Sequence, residues 1–375
     1  MFYQTQITRR FFIGSVLVLS LSLVSCSGTN IEQANQSGSQ TSTGGSASSP
    51  TPTTAAAAGG GIVTINGAGA TFPAPLYELW FSEYNKQNPN VKISYQSVGS
   101  GAGVEQFIKK TVDFGASDVA MKDEEIAKVP EGVLMLPMTA GSIVFAYNLP
   151  GVKNLKLSRK AYVDILLGKI TKWNDPALVE INPGVTLPDK PITVIYRSDG
   201  SGTTGVLTKH LSAISEEWKN GPGEGKSVNW PVGNGAKGNE GVTELIKQTE
   251  GAIGYVEYGY AKNNALSMAI LENKAGKYVE PTPESASKTL AAVTLPENFR
   301  AFIADPEGEQ SYPIVSYTWL LVYKKYDDPK KAQALEDALK WALTEGQKYS
   351  TQVGYIPLPP EVVAKVQPVV ETIAP

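Results

Sequence analysis

The sequence predicts an α/β protein of two lobes, each a mostly parallel sheet flanked by helices. Strand-like and helix-like runs alternate along the chain, as a largely parallel sheet requires. Three strands run into glycine-rich turns that open helices, at Asn66–Pro73, Val98–Gly103 and Arg197–Thr203. The body from 62 to 375, about 310 residues, is near the size at which chains divide into two domains.

The first residues, 1–25, read as an export signal. Arg9 and Arg10 precede an apolar run from Phe11 to Val24, short for a membrane span, that ends in Leu23-Val24-Ser25-Cys26. That ending resembles the bacterial lipobox, whose cysteine is lipidated and becomes the mature N-terminus. Cys26 is the only cysteine, so no disulfide forms within one chain. Thr8-Arg9-Arg10-Phe11-Phe12-Ile13 also resembles a twin-arginine signal. Residues 26–61 are Ser, Thr, Gly, Ala, Pro, Gln and Asn with almost no large apolar side chain, the composition of a flexible tether. A lipidated end and a tether would hold the body near the outer face of a membrane, within reach of a membrane partner.

The body opens with a strand at Ile62–Ile65 and the first glycine turn. Leu76, Tyr77, Trp80, Phe81 and Tyr84 then recur at three and four residues, predicting a helix from Pro73 or Ala74. Gly67 and Gly69 suggest a dinucleotide fingerprint, but Phe72 occupies the place of its third glycine. Val91, Ile93 and Tyr95 alternate as a strand, and the second turn leads into a helix carrying Val104, Phe107 and Ile108. Thr111–Asp118 is a strand ending in small residues and an acid, and Ser142–Tyr147 is another strand. Ala161–Leu167 is a helix. Ile192–Tyr196 is the strand before Arg197, and Val206, Leu207 and Leu211 mark the helix after it; Ala252–Val256 is a further strand. From about Leu266 the chain is expected to return to the first lobe, with a strand opening at Ser311–Val315 and a helical stripe of Ala332, Leu335, Leu339 and Ala342. The lobes are therefore 62–141 with 266–375, and 142–265, joined by two or three crossings that permit hinge closure.

In open α/β sheets ligands sit beyond the carboxyl ends of strands, where helix N-termini converge. Those ends favour an anion. Thr71, Ser100 and Ser201 would turn their hydroxyls to one shared guest, Thr203 adds another hydroxyl, and Arg197 offers a planar fork suited to a tetrahedral oxyanion. The alternative at this loop is a capped helix with an Arg197–Asp199 surface pair. An ionised carboxylate only accepts hydrogen bonds, so Asp118 would bind an oxyanion that keeps a proton and repel one without. Its alternative is to cap the helix suggested by Asp123–Ile126.

Other functions are excluded by composition and motif. A net charge of −3, with no basic cluster among aromatics, argues against nucleic acid. Gly221–Ser227 has three residues between its outer glycines rather than four and no strand before it, so it is a surface loop and not a nucleotide P-loop. No His/Cys cluster or calcium-loop pattern offers a metal site, and no cofactor is expected. The only histidine, His210, lies a helical turn or more beyond the anion loop and is read as a surface or core residue; a Ser-His-Asp triad would depend on it alone, and no enzyme is expected. Trp173, Trp218 and Trp230 are assigned to packing.

Gly67-Ala-Gly-Ala-Thr-Phe-Pro-Ala-Pro75, Thr111-Val-Asp-Phe-Gly-Ala-Ser-Asp118, Arg197 through Thr203 and Gly251-Ala-Ile-Gly-Tyr-Val-Glu-Tyr258 closely resemble the phosphate-binding protein of the bacterial phosphate ABC importer. Gly168-Lys-Ile-Thr-Lys-Trp-Asn174 and Asn229-Trp-Pro-Val-Gly233 fit as well, and the resemblance runs in order across the body. It implies a two-lobed, type II periplasmic binding protein closing over one dehydrated inorganic phosphate. It further implies a monomer in the periplasm or at the outer face of the cell membrane, delivering phosphate to transmembrane permease subunits. Carried over, the phosphate contacts are Thr71, Phe72 through its backbone N–H, Ser100, Asp118, Arg197, Ser201, Gly202 and Thr203, with Asp199 supporting Arg197. Gly101 stands where many relatives carry a second serine. Asp118 would take the phosphate proton, so sulfate, lacking it, would be refused. The competing function is a lipid-anchored phosphohydrolase using the same cradle, which turnover of a phosphoester would reveal.

Overall fold

The computed structural model describes residues 61–373; Cys26, the export signal and nearly all of the tether lie outside the described residues. In chain order the elements are β1 (Val63–Gly69), α1 (Ala74–Gln87), β2 (Val91–Ser97), α2 (Ser100–Ile108), β3 (Phe114–Ser117), α3 (Asp123–Ile126) and β4 (Val133–Tyr147). They continue as β5 (Lys156–Leu157), α4 (Arg159–Leu166), α5 (Pro176–Ile181), β6 (Thr193–Arg197), α6 (Gly202–Ile214), α7 (Glu216–Asn220), β7 (Asn234–Ala236), α8 (Gly238–Gln248) and β8 (Ala252–Glu257). Then come α9 (Tyr258–Asn263), β9 (Ser267–Met268), β10 (Ile270–Glu272), β11 (Tyr278–Val279), α10 (Pro283–Ala291), β12 (Val315–Tyr323), α11 (Pro329–Leu343) and α12 (Pro360–Val370).

Nine strands make one sheet in the order β2-β1-β3-β12-β4-β8-β6-β7, with β9 paired to β4. Within each half the pairing is parallel, β1 with β2 and β3, and β6 with β7 and β8. In the middle β12 and β4 run antiparallel to each other and to their neighbours. The sheet is therefore mixed rather than mostly parallel, because these two strands carry the chain across in opposite directions. β4 pairs with β12 up to Ser142 and with β8 from Ile143 onward, so the strand expected at Ser142–Tyr147 is the far end of a longer one.

The run after Leu266, expected to rejoin the first half, stays with the second. β9 pairs with Ala146 and Tyr147 of β4, and β10 pairs with β5. Arg300 is the first to reach back, donating to Asp123 Oδ1 and the Met121 carbonyl of the first half, and the sheet itself rejoins that half at β12, which enters beside Ser142 and Gly141.

Packing positions the helix starts. Leu76, Tyr77, Trp80, Phe81 and Tyr84 are buried along one face of α1, each such side chain contributing about 1.5–3 kcal/mol. Trp80 Nε1 donates to the Gly346 carbonyl at 2.6 Å, fixing α1 to the C-terminal segment. A Cβ on Gly103 would lie 2.4 Å from Gly69 Cα and 2.8 Å from the Ala116 carbonyl oxygen. Glycine there lets α2 lie directly on β1 and β3 and brings Ser100 to their carboxyl ends.

His210 lies in the core, its Nε2 2.9 Å from the Tyr162 hydroxyl. Burial lowers its pKa to about 4, so the unfolded chain protonates first as pH falls. Stability tied to this imidazole is complete above about 6.5 and is lost as pH falls toward about 4. A histidine ring proton resonance that stays flat from about pH 8 to about pH 5 is the expected NMR result; a midpoint near 6.5 would contradict it.

Candidate anion-binding site

Arg197 ends β6 and is 3% exposed. Its Nε and Nη2 donate to Asp199 at 2.8 and 2.6 Å, and its Nη1 reaches Thr203 Oγ1 at 3.4 Å. The backbone N–H of Gly238 donates to Asp199 Oδ1 at 3.1 Å. Burial opposes the guanidinium charge, but the bonds and charge of Asp199 outweigh it and the pKa is raised. Burial likewise opposes the Asp199 charge, and Arg197 outweighs it, holding that carboxyl below its usual range. The pair is a buried bidentate one and not a surface one. Ser201 caps α6, accepting from Thr204 N at 3.0 Å, which leaves its hydroxyl proton free to donate. The cap and the ion pair are thus both present, and they aim the start of α6. The N–H groups of Gly202 and Thr203 make no hydrogen bond among the described residues, the ordinary condition of a first helical turn. Phe72 N–H is also without a partner there, while its carbonyl accepts from Tyr355 Oη at 2.5 Å.

Asp118 follows β3 and is 2% exposed. It does not cap α3, whose N-cap is Lys122. Its Oδ1 accepts from Thr318 Oγ1 at 2.8 Å and its Oδ2 from Ser100 Oγ at 3.3 Å. Burial raises its pKa to about 7, against the lowering effects of Thr318, Arg197 and Ser100. The two acids of the site are thus held in opposite ways: Asp199 as a fixed anion, Asp118 poised to keep or release a proton near neutrality.

The two halves meet here. Gly101 N donates to the Gly200 carbonyl at 2.7 Å. A Cβ on Gly202 would lie 2.3 Å from Ser100 Oγ and 2.5 Å from Asp118 Oδ2. Asn239 Nδ2 lies 2.8 Å from Thr71 Oγ1 and 3.2 Å from Thr203 Oγ1. Thr71, Phe72, Ser100, Asp118, Arg197, Ser201, Gly202 and Thr203 therefore form one connected cluster, although 132 positions separate Thr71 from Thr203. Beside Asp118 a cavity of about 300 Å³ is lined by Lys122, Lys209, Lys226 and Arg300. Among the described residues no group of three His, Cys, Asp or Glu side chains is placed to hold a metal.

A family model described as a PBP superfamily domain matches residues 41–345. The chain is 46% identical over 308 residues to the phosphate-binding protein PstS of Pasteurella multocida, covering 81% of this chain and 89% of that one. It is 41% identical over 325 residues to the phosphate-binding protein PstS of Methanocaldococcus jannaschii, covering 80% and 84%. The chain belongs to the PstS family. It matches the fold of the phosphate binding protein of Stenotrophomonas maltophilia with a TM-score of 0.65, at 19% identity, covering 82% of this chain and 93% of the other. The fold is the two-lobed, type II periplasmic-binding-protein fold.

Four residues packed around this candidate site were not predicted. Thr318, on β12, sets the orientation of Asp118. Tyr255 Oη accepts from Arg197 N at 3.1 Å and lies 2.5 Å from Thr204 Oγ1. Glu257 is fully buried, its carboxyl pushed well above the usual range by burial, and it caps α9 through Gly259 N at 2.8 Å. Asn239 opens α8 after the turn Ala236-Lys237-Gly238, a fourth strand, glycine turn and helix start that the sequence also signals.

Proposed function

We propose that this protein captures inorganic phosphate between its lobes and delivers it to the permease subunits of an ABC importer. The observation that carries this is the buried cluster itself: one arginine, hydroxyls from both halves, unpartnered helix-start N–H groups and a single acceptor, Asp118. Arg197 and the N–H donors neutralise the oxyanion. Asp118 accepts the proton that phosphate retains, and sulfate would place two acceptors face to face at a desolvated site. Arsenate carries the same proton, so discrimination against it is weak. The protein acts as a binder and not a catalyst, as a monomer held at the outer face of the cell membrane by lipid on Cys26. The hinge lies where β4 passes from β12 to β8, with residues 62–141 and 142–265 forming most of the two lobes.

Calorimetric titration of the anion-stripped protein tests the reading. At about pH 8, where Asp118 is ionised, tight single-site binding of phosphate with no response to sulfate is expected; equal binding of both would remove the role of Asp118, and binding of neither would remove the site. Phosphoester turnover would favour a hydrolase.

Closure depends on the bare backbone at Gly202. Gly202→Ala would set a methyl group against Ser100 and Asp118, overpacking that costs about 1–3 kcal/mol, or roughly tenfold to a hundredfold in affinity. The clash arises across the two halves, so the unfolding temperature of the phosphate-free protein should change little. Wild-type affinity in this variant would mean that the lobes do not close as described.

A further inference from the structure

We propose that Asn239 is a positioning residue that commits the hydroxyls of Thr71 and Thr203 to donate their protons to the bound anion. This rests on the phosphate-binding reading and assigns a role to a residue outside the contacts carried over from the family resemblance. Asn239 is fully buried at the start of α8. Its amide orientation is fixed by chemistry: Glu257 N–H donates to Asn239 Oδ1 at 3.0 Å, which only the carbonyl oxygen can accept. Nδ2 must therefore face the two threonines, with one hydrogen for each.

A hydroxyl has two acceptor sites and one proton. Thr71 Oγ1 accepts from Asn239 N at 3.1 Å and from Asn239 Nδ2 at 2.8 Å, so both acceptor sites are taken. Thr203 Oγ1 accepts from Asn239 Nδ2 at 3.2 Å and from Arg197 Nη1 at 3.4 Å. The only hydrogen-bonding capacity left on either oxygen is its proton. A threonine hydroxyl left to itself rotates and can present a lone pair to an anion; these two cannot. The bridge also spans the halves, since Thr71 follows β1 and Thr203 opens α6, so it is complete only when they are together. Asn239 thereby makes the donor set available at closure without reorientation, the condition for strong electrostatic recognition in a dry site.

The test is a double-mutant cycle on phosphate affinity, with the wild-type protein measured alongside. Asn239→Ala should weaken phosphate binding roughly tenfold. In the Thr71→Val, Thr203→Val background, where no hydroxyl remains to be oriented, the same change should cost less than about twofold. Asn239→Asp keeps the shape but replaces the donor with an acceptor, so it should weaken binding more than Asn239→Ala does. A residue that only fills space would show the reverse order and equal losses in both backgrounds, and either result overturns the proposal. Wild-type affinity in Asn239→Asp would also overturn it. A wild-type protein that fails to bind phosphate would overturn the functional reading and this inference with it; tight wild-type binding with an additive cycle would overturn this inference alone. Thermal unfolding of each variant identifies any that are misfolded, and should Asn239→Ala be one, the isosteric Asn239→Asp decides the outcome.

Discussion

Replacing Arg197 by alanine is expected to lower phosphate affinity by about a thousandfold, the largest single-site loss in this protein. Truncating one partner of a buried, hydrogen-bonded charge pair costs about 2–5 kcal/mol, and each 1.4 kcal/mol is roughly tenfold. Here the loss falls toward the upper part of that range for two reasons. Arg197 is the only cation within the cluster, and its removal leaves Asp199 buried with Gly238 N–H as its remaining donor. An approaching oxyanion would then meet an unneutralised carboxylate. Arg197→Lys keeps a charge but not the fork, which must grip both Asp199 oxygens while Nη1 stays near Thr203, so its affinity should lie between the two. The phosphate-free alanine variant should also unfold at lower temperature, because an unpaired buried charge destabilises the native state. Calorimetry and thermal unfolding on the three proteins measure both effects. Phosphate binding by Arg197→Ala within tenfold of wild type would show that the ligand's charge is met elsewhere.

The site was legible in the sequence to the extent that its parts are local. A glycine turn between a strand and a helix is written in consecutive residues, so the starts of α2 and α6 and the turn at Thr71 could be read directly. The pairing of Arg197 with Asp199 spans two positions and was equally visible. Thr318 meets Asp118 across 200 positions, and nothing near either residue in sequence announces the other. Asn239 had a local signal, Gly235-Ala236-Lys237-Gly238 before a helix, but its strand is three residues long and too short to carry alternation. The long crossing strand hid for the opposite reason. Nearly every residue of β4 is buried, because it is covered on both faces where it joins the halves, so period-two patterning is lost. The misplaced return at Leu266 has the same origin, since β9 and β10 are two and three residues long and their partners are decided by tertiary pairing.

Asp118→Asn is expected to narrow the preference for phosphate over sulfate by about a hundredfold. The carboxamide keeps an oxygen for the Thr318 hydroxyl, which donates to Asp118 Oδ1, and so turns its NH₂ toward Ser100 and the bound anion. A donor now stands where an acceptor stood. A protonated phosphate oxygen loses its acceptor, and a bare sulfate oxygen gains a donor; about 1–3 kcal/mol is at stake in each case, and the two act in opposite directions. The wild-type protein contains its own version of this experiment. Burial raises the Asp118 pKa to about 7, so the carboxyl takes up a proton as pH falls through neutrality and becomes a donor itself. Sulfate binding to the wild-type protein should therefore strengthen between about pH 8 and about pH 6, and in Asp118→Asn that dependence should vanish. The stability of the anion-free protein carries the matching sign. A raised carboxyl pKa means that the folded state holds the proton longer than the unfolded one, so the contribution is complete below about 4 and is lost as pH rises through about 7. Asp118→Asn should flatten that slope, while His210, titrating in the other direction at lower pH, is left untouched. Sulfate titrations of both proteins at the two pH values decide the matter. A wild-type sulfate affinity that ignores pH, together with unchanged discrimination in the variant, would mean that selectivity comes from the shape of the cleft rather than from the proton on its ligand.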